Sequence, residues 1–175
     1  MKQHLLLKSL VIGVITLAWI AGAKAQEILH PEMTVAADGG TYQKPMGTLG
    51  QKPDQPWTAT TTAAGVNAKP NVGKSITITG EIIDLSCYLQ LGKHGEKHTA
   101  CGKKCLTNGQ PIGLLDKSGN VYMLMEEEHD PRRDGQVSGF RKAAIDHFGH
   151  IMEVNGTEST VGGYHAVYVQ GYVNK

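Results

Sequence analysis

The only three cysteines of the chain, Cys87, Cys101 and Cys105, stand near one histidine, His98, in the pattern C-x10-H-x2-C-x3-C. Thiolate sulfur and imidazole nitrogen are the donors that zinc prefers, and three Cys with one His is a common four-ligand composition. Cu(I) also favours soft thiolates. If residues 96–106 are helical, His98, Cys101 and Cys105 fall at i, i+3 and i+7 along one helix face. Cys87 is expected at the end of a strand facing that helix. These four residues are the predicted ligands of a Zn or Cu ion, with His94 a spare donor one turn earlier.

The same thiols permit a second chemistry. In a regular helix Cys101 and Cys105 have Cβ atoms about 5–6 Å apart, whereas a disulfide needs about 3.5–4.5 Å. Cys87 with either of them is the easier bridge. It would leave one thiol over, whose pKa Lys97, Lys103 and Lys104 would lower. The residues thus leave open a metal-binding module and a thiol-disulfide or redox-sensing protein. A third expectation is an oligosaccharide or envelope-protein binding module with a structural disulfide. No catalytic set stands out: there is no G-x-S-x-G elbow, no phosphate-cradling glycine loop and no C-x-x-C-H haem attachment.

The compartment matters to that choice, because free thiols are uncommon outside the cytoplasm. Lys2 and Lys8, an apolar run from Leu10 to Ile20 and the small-x-small exit Ala23-Lys24-Ala25 describe a secretory signal peptide over residues 1–25. The run is shorter than the roughly 20 residues of a membrane span. A periplasmic or secreted protein with no stable membrane span after cleavage is expected. The formal net charge of +1 and export both argue against nucleic acid as a partner.

Residues 26–74 hold five of the seven prolines and no apolar periodicity. The composition predicts a flexible or loosely docked Pro/Gly/Thr-rich arm that buries too little to offset its ordering entropy. Residues 75–175 form the predicted domain. Ser75 to Tyr88 alternates and is β-branched, which predicts one long strand. Ile76 and Ile78 share one phase while Ile83, Leu85 and Cys87 share the other, so a bulge or bend is expected just after Gly80. A hairpin follows, turning at Ser118-Gly119-Asn120. Then come a helix with Phe140, Ala144 and Phe148 on one face and strands near 151–154 and 164–173. Asn155-Gly156 and Gly162-Gly163 are read as bends.

The predicted fold is mainly β, an OB-like five-stranded small barrel with one helix between strands 3 and 4. The Cys/His segment forms a short helix or loop between strands 1 and 2. Thr79-Gly80-Glu81-Ile82-Ile83-Asp84, Cys87-Tyr88, His98-x-x-Cys101-x-x-x-Cys105 and Gly109-x-Pro111-Ile112-Gly113-Leu114-Leu115 carry a resemblance to a family of small secreted bacterial proteins. The resemblance spans about Ser75 to Val173. It implies an OB-like build and a cysteine cluster, and no activity.

Other polar groups have plainer readings. Met123 and Met125 are core packing, Glu126 to Asp130 a solvated connector, and His147 and His150 cations at a helix end. His165 reads as a structural histidine. Tyr88, Tyr122, Tyr164, Tyr168 and Tyr172 offer a stacking face of the sort OB barrels use.

Overall fold

The computed structural model describes residues 34–56, 72–126 and 139–169. The signal-peptide segment, the 127–138 connector and Tyr172 lie outside them. The strands are β1 (Thr48–Leu49), β2 (Lys74–Asp84), β3 (Ile112–Asp116), β4 (Val121–Glu126), β5 (Ile151–Val161) and β6 (Tyr164–Val169). The helices are α1 (Leu85–Leu91), α2 (Thr99–Thr107) and α3 (Gly139–Asp146), with a 3-10 turn at Glu96–His98 before α2.

The sheet order is β1-β5-β2-β3-β4-β6, and β6 pairs again with β5. Strands β2, β3, β4, β6 and β5 therefore close on themselves, with β4 and β6 parallel and the other barrel pairs antiparallel. This is a closed five-stranded barrel with one added strand, consistent with an OB-like small barrel. The helix between the third and fourth barrel strands is α3. Closure leaves little bare sheet edge.

β2 serves both sides of the barrel. Its first part pairs with β5, from Lys74↔Glu158 to Glu81↔Ile151, and its last part with β3, from Gly80↔Asp116 to Asp84↔Ile112. The register runs through Gly80 unbroken, so the expected bulge is absent. Ile82 keeps the phase of Ile76 and Ile78 and joins the core. Glu81 and Ile83 are nevertheless buried, because the outer surface at this end is covered too. An apolar residue in the second phase therefore did not signal a phase change.

The strand also stops sooner than its composition suggests. β2 ends at Asp84, and α1 begins at Leu85. Asp84 Oδ1 accepts from the backbone N–H of Ser86 at 3.0 Å and of Cys87 at 3.4 Å, the N-cap pattern. Cys87 thus sits in the first turn of a helix, not at a strand end. β5 differs as well: it continues as one strand through Asn155-Gly156 to Val161. A Cβ at Gly156 would lie 2.5 Å from Tyr168 O, so this glycine permits close approach of β6.

Part of the expected arm belongs to the barrel. β1 pairs in parallel with β5, Leu49 is fully buried in the core, and Met46 N–H donates to Ile151 O at 2.8 Å. Backbone pairing and one apolar anchor hold a stretch whose composition carries no periodic signal.

The core gathers Ile82, Leu114, Leu124, Phe148, Met152 and Val167 inside the barrel, with Leu106 of α2 and Phe140 and Ala144 of α3 against it. Helix α2 buries Gly102 and Leu106, in line with His98 just before it. A Cβ on Gly102 would run into the ring of Phe148, so glycine lets α2 lie flat on that ring.

Candidate metal centre

Three elements converge beside α2. Asp84 ends β2, Cys87 lies in the first turn of α1 and His98 ends the 3-10 turn. One ligand atom from each lies within 4.8 Å of the other two, and Asp84 and His98 are buried. Among the described residues this is the one such group of three or more.

The local fold explains why these side chains meet. An N-cap side chain reaches the third residue of its helix, so capping by Asp84 places its carboxylate beside Cys87. α1 is tied down by Leu85 N–H to Pro111 O at 3.0 Å and by the Ser86 hydroxyl to Gln110 Oε1 at 2.6 Å. The turn bearing His98 is pinned by a second buried carboxylate. Glu81 Oε1 accepts from Gly95 N–H at 2.6 Å, and Glu81 Oε2 lies 2.8 Å from His94 Nδ1. Glu96 N–H donates to Thr34 O at 2.8 Å. The His98 ring meets Phe148 edge-on, with centroids 5.8 Å apart.

Within this frame two buried polar atoms have no hydrogen-bond partner: Asp84 Oδ2 and His98 Nε2. Asp84 is 0% exposed and His98 4%. Buried unsatisfied groups cost about 1–3 kcal/mol each, more when charged. Buried polar groups ordinarily have a partner, so these two atoms call for one beyond the side chains present, an ion or a water.

The electrostatics agree. Burial, then the hydrogen bond and negative charge of Asp84, together push the Cys87 thiol up to about 12. Burial, then Asp84, raises Cys105 as well. Burial lowers His98, against the opposing pull of Asp84. Without a cation, Cys87 is a protonated thiol beside a carboxylate. That is a poor arrangement for a thiolate nucleophile, which needs a positive neighbour. A bound cation would reverse each preference: it would stabilise the thiolate, accept the carboxylate and use the neutral imidazole.

The four predicted ligands fare differently. Cys87 and His98 come together. Cys105 is half-buried on α2, in the field of Asp84, which helps to raise its thiol. Cys101 is exposed one turn earlier on α2. Neither Cys101 nor Cys105 is in the group held within 4.8 Å. The buried helix face is occupied by Gly102 and Leu106, which turns Cys101 outward. All three cysteines are free thiols.

Asp84 is the residue missing from the predicted set. Its signal was present: an Asp three residues before Cys87, followed by a short helix-compatible run, is an N-cap pattern. The β-branched run leading into it masked that pattern. Lysines were expected to lower the leftover thiol. That expectation belonged to a bridged state; here all three thiols are free, Lys103 Nζ reaches Asp146 O at 3.2 Å, and burial raises the thiol of Cys105.

The other described histidines have separate partners. His94 pairs with Glu81 and meets Tyr88 edge-on. His147 and His150 face each other, Nδ1 to Nδ1 at 3.4 Å. His165 lies 3.3 Å from Glu158 and edge-on to Tyr122. No described helix is long and apolar enough to cross a membrane.

Fold and site together define a small OB-like barrel bearing an Asp/Cys/His group of metal-ligand type. Comparison with protein-family models, curated proteins and solved structures finds no match.

Proposed function

We propose that this protein is an exported binding module built around a metal ion, held by Asp84, Cys87 and His98 with Cys105 as the fourth donor. The reading keeps three of the four residues predicted from spacing and puts the carboxylate of Asp84 in the place of Cys101. The observation that carries it is the convergence of Asp84, Cys87 and His98, two of which hold a buried atom without a hydrogen-bond partner, Asp84 Oδ2 and His98 Nε2.

The mixed oxygen, nitrogen and sulfur set favours zinc over Cu(I), which prefers sulfur-rich sites. With four protein ligands the ion is closed to substrate. Its role is then to fix the segment between β2 and β3, so that the ordered loop can meet a partner.

Elemental analysis and metal titration of the mature protein test this. The reduced, chelator-stripped protein should take up one equivalent of zinc, and cobalt in its place should show thiolate charge-transfer absorption. His98→Ala should abolish tight uptake while the barrel retains its circular dichroism. Stoichiometric copper with no zinc would change the metal. Absence of any tight metal with a folded barrel would overturn the reading.

A further inference from the structure

The turn after α3 brings two imidazoles face to face. His147 Nδ1 and His150 Nδ1 lie 3.4 Å apart, with ring centroids 5.6 Å apart and planes at 63°. Both residues are half-buried, and neither belongs to the Asp84 group. As two helix-end cations they would repel at this distance, so the expected dipole role does not account for the pair. A direct hydrogen bond between the rings is a weak tie, longer than the roughly 2.7–3.2 Å of an ordinary N–H donor bond.

The spacing does fit an ion held between the two nitrogens. Imidazole binds zinc at about 2.0–2.1 Å, and two nitrogens at that range on a tetrahedral ion stand about 3.3–3.4 Å apart. The backbone fixes this separation. His150 N–H donates to His147 O at 3.0 Å, and His147 N–H to Ala143 O at 3.0 Å. Gly149 N–H donates to Ile82 O at 2.8 Å, and Ile82 N–H returns to His150 O at 3.0 Å. Phe148, between the two, is fully buried. Donors on a turn clamped in this way lose little freedom when they bind.

The surrounding charges are mixed. The negative charge of Asp38 acts on His150, and Ile151 N–H to Gly39 O at 2.7 Å holds the Asp38 loop beside it. Lys103 opposes a cation here, with its Nζ tied to Asp146 O at 3.2 Å. Burial, then His147, lowers His150, which keeps it a neutral donor near neutral pH.

We propose that His147 and His150 hold a second zinc ion through both Nδ1 atoms, in an open site whose remaining positions belong to water. Both ring protons then sit on Nε2, so that each Nδ1 lone pair faces the ion. Asp38 supplies negative charge to the site. The Asp84 centre accounts for the one tight equivalent of zinc; two imidazoles hold a further equivalent more weakly and exchange it. The two sites share no residue, so this one stands independently of the reading above.

The test titrates zinc sulfate into the reduced, nitrogen-15-labelled mature chain near neutral pH and follows the imidazole nitrogens by long-range proton–nitrogen correlation. Beyond the tight equivalent, a further one should move Nδ1 of His147 and His150 together and show both rings as the Nε2–H tautomer. In calorimetry His147→Ala and His150→Ala should each abolish the further uptake and leave the tight equivalent in place, while Asp38→Asn should weaken the further uptake. Rings that keep their resonances at a large excess of zinc, or further zinc that binds equally well to both alanine variants, would overturn the second site and leave the Asp84 centre standing. A pair that responds in a protein lacking the tight equivalent would support the second site and remove the Asp84 centre.

Discussion

Replacing Asp84 with Asn separates the two tasks of one side chain. Oδ1 caps α1 through the N–H groups of Ser86 and Cys87, and Asn caps a helix about as well as Asp. Oδ2 is buried and has no hydrogen-bond partner, and under the proposed reading it serves the metal. The variant should therefore melt within about 1 kcal/mol of the parent when metal-free, since the cap survives. Its zinc affinity should fall steeply. Loss of a supporting group around a metal costs about 10–100-fold, and loss of an anionic ligand should cost at least the upper figure. A loss of about 100-fold corresponds to about 2.7 kcal/mol. Competition with a chromophoric chelator measures it. A second readout tests the same geometry without metal. Asp84 is a leading cause, after burial, of the raised Cys87 thiol. Removing its charge must increase the thiolate fraction, so alkylation of Cys87 by iodoacetamide at pH 8 should accelerate. Unchanged zinc affinity together with unchanged alkylation would show that Asp84 does not face the thiol as described, and the coordination scheme would fall.

Proton linkage gives a second test. The Cys87 thiol lies at about 12 in the folded protein against an ordinary 9.0, so the folded state holds its proton more tightly than the unfolded chain does. Metal-free stability should be fully present below pH about 9 and decline as pH rises towards 12, and Cys87→Ser should flatten that decline in denaturant titrations. Zinc must displace the same proton, so affinity should rise by about tenfold per pH unit from Cys87 alone near neutrality, with matching proton release in weakly buffered calorimetry. Glu81→Ala removes the acceptor of Gly95 N–H and the partner of His94. It should cost about 1–3 kcal/mol of stability and weaken zinc by freeing the turn that carries His98; Glu81→Gln, which keeps an acceptor oxygen, should recover part of both. Gly102→Ala gains about 1 kcal/mol of helix propensity, but its methyl meets Phe148. A net loss of about 1–3 kcal/mol by thermal melting is expected, and a gain would mean that α2 does not rest on that ring.

Much of the barrel was legible in the linear chain. The alternation of Ile76 and Ile78, the hairpin at Ser118–Asn120 and the Phe140–Ala144–Phe148 face carry the period of their elements. The errors came where a residue answers to a neighbour distant in sequence. Gly156 resembles a bend until Tyr168 is seen against it. Leu49 sits in an aperiodic, proline-rich stretch, yet β5 supplies its partner and the core its pocket.

The same division runs through the site. Residue type and spacing by themselves named Cys87, His98, Cys101 and Cys105 as candidate donors, of which Cys87 and His98 come together with Asp84, because donor chemistry belongs to the side chain alone. They also fixed the i, i+4 separation of Cys101 and Cys105, since a helix sets it locally. Which donors converge was decided in three dimensions. Asp84 enters because a strand ends there and a helix begins, turning a cap into a neighbour of Cys87. Cys101 is left outside because α2 must put Gly102 against Phe148, and a helix can bury only one face.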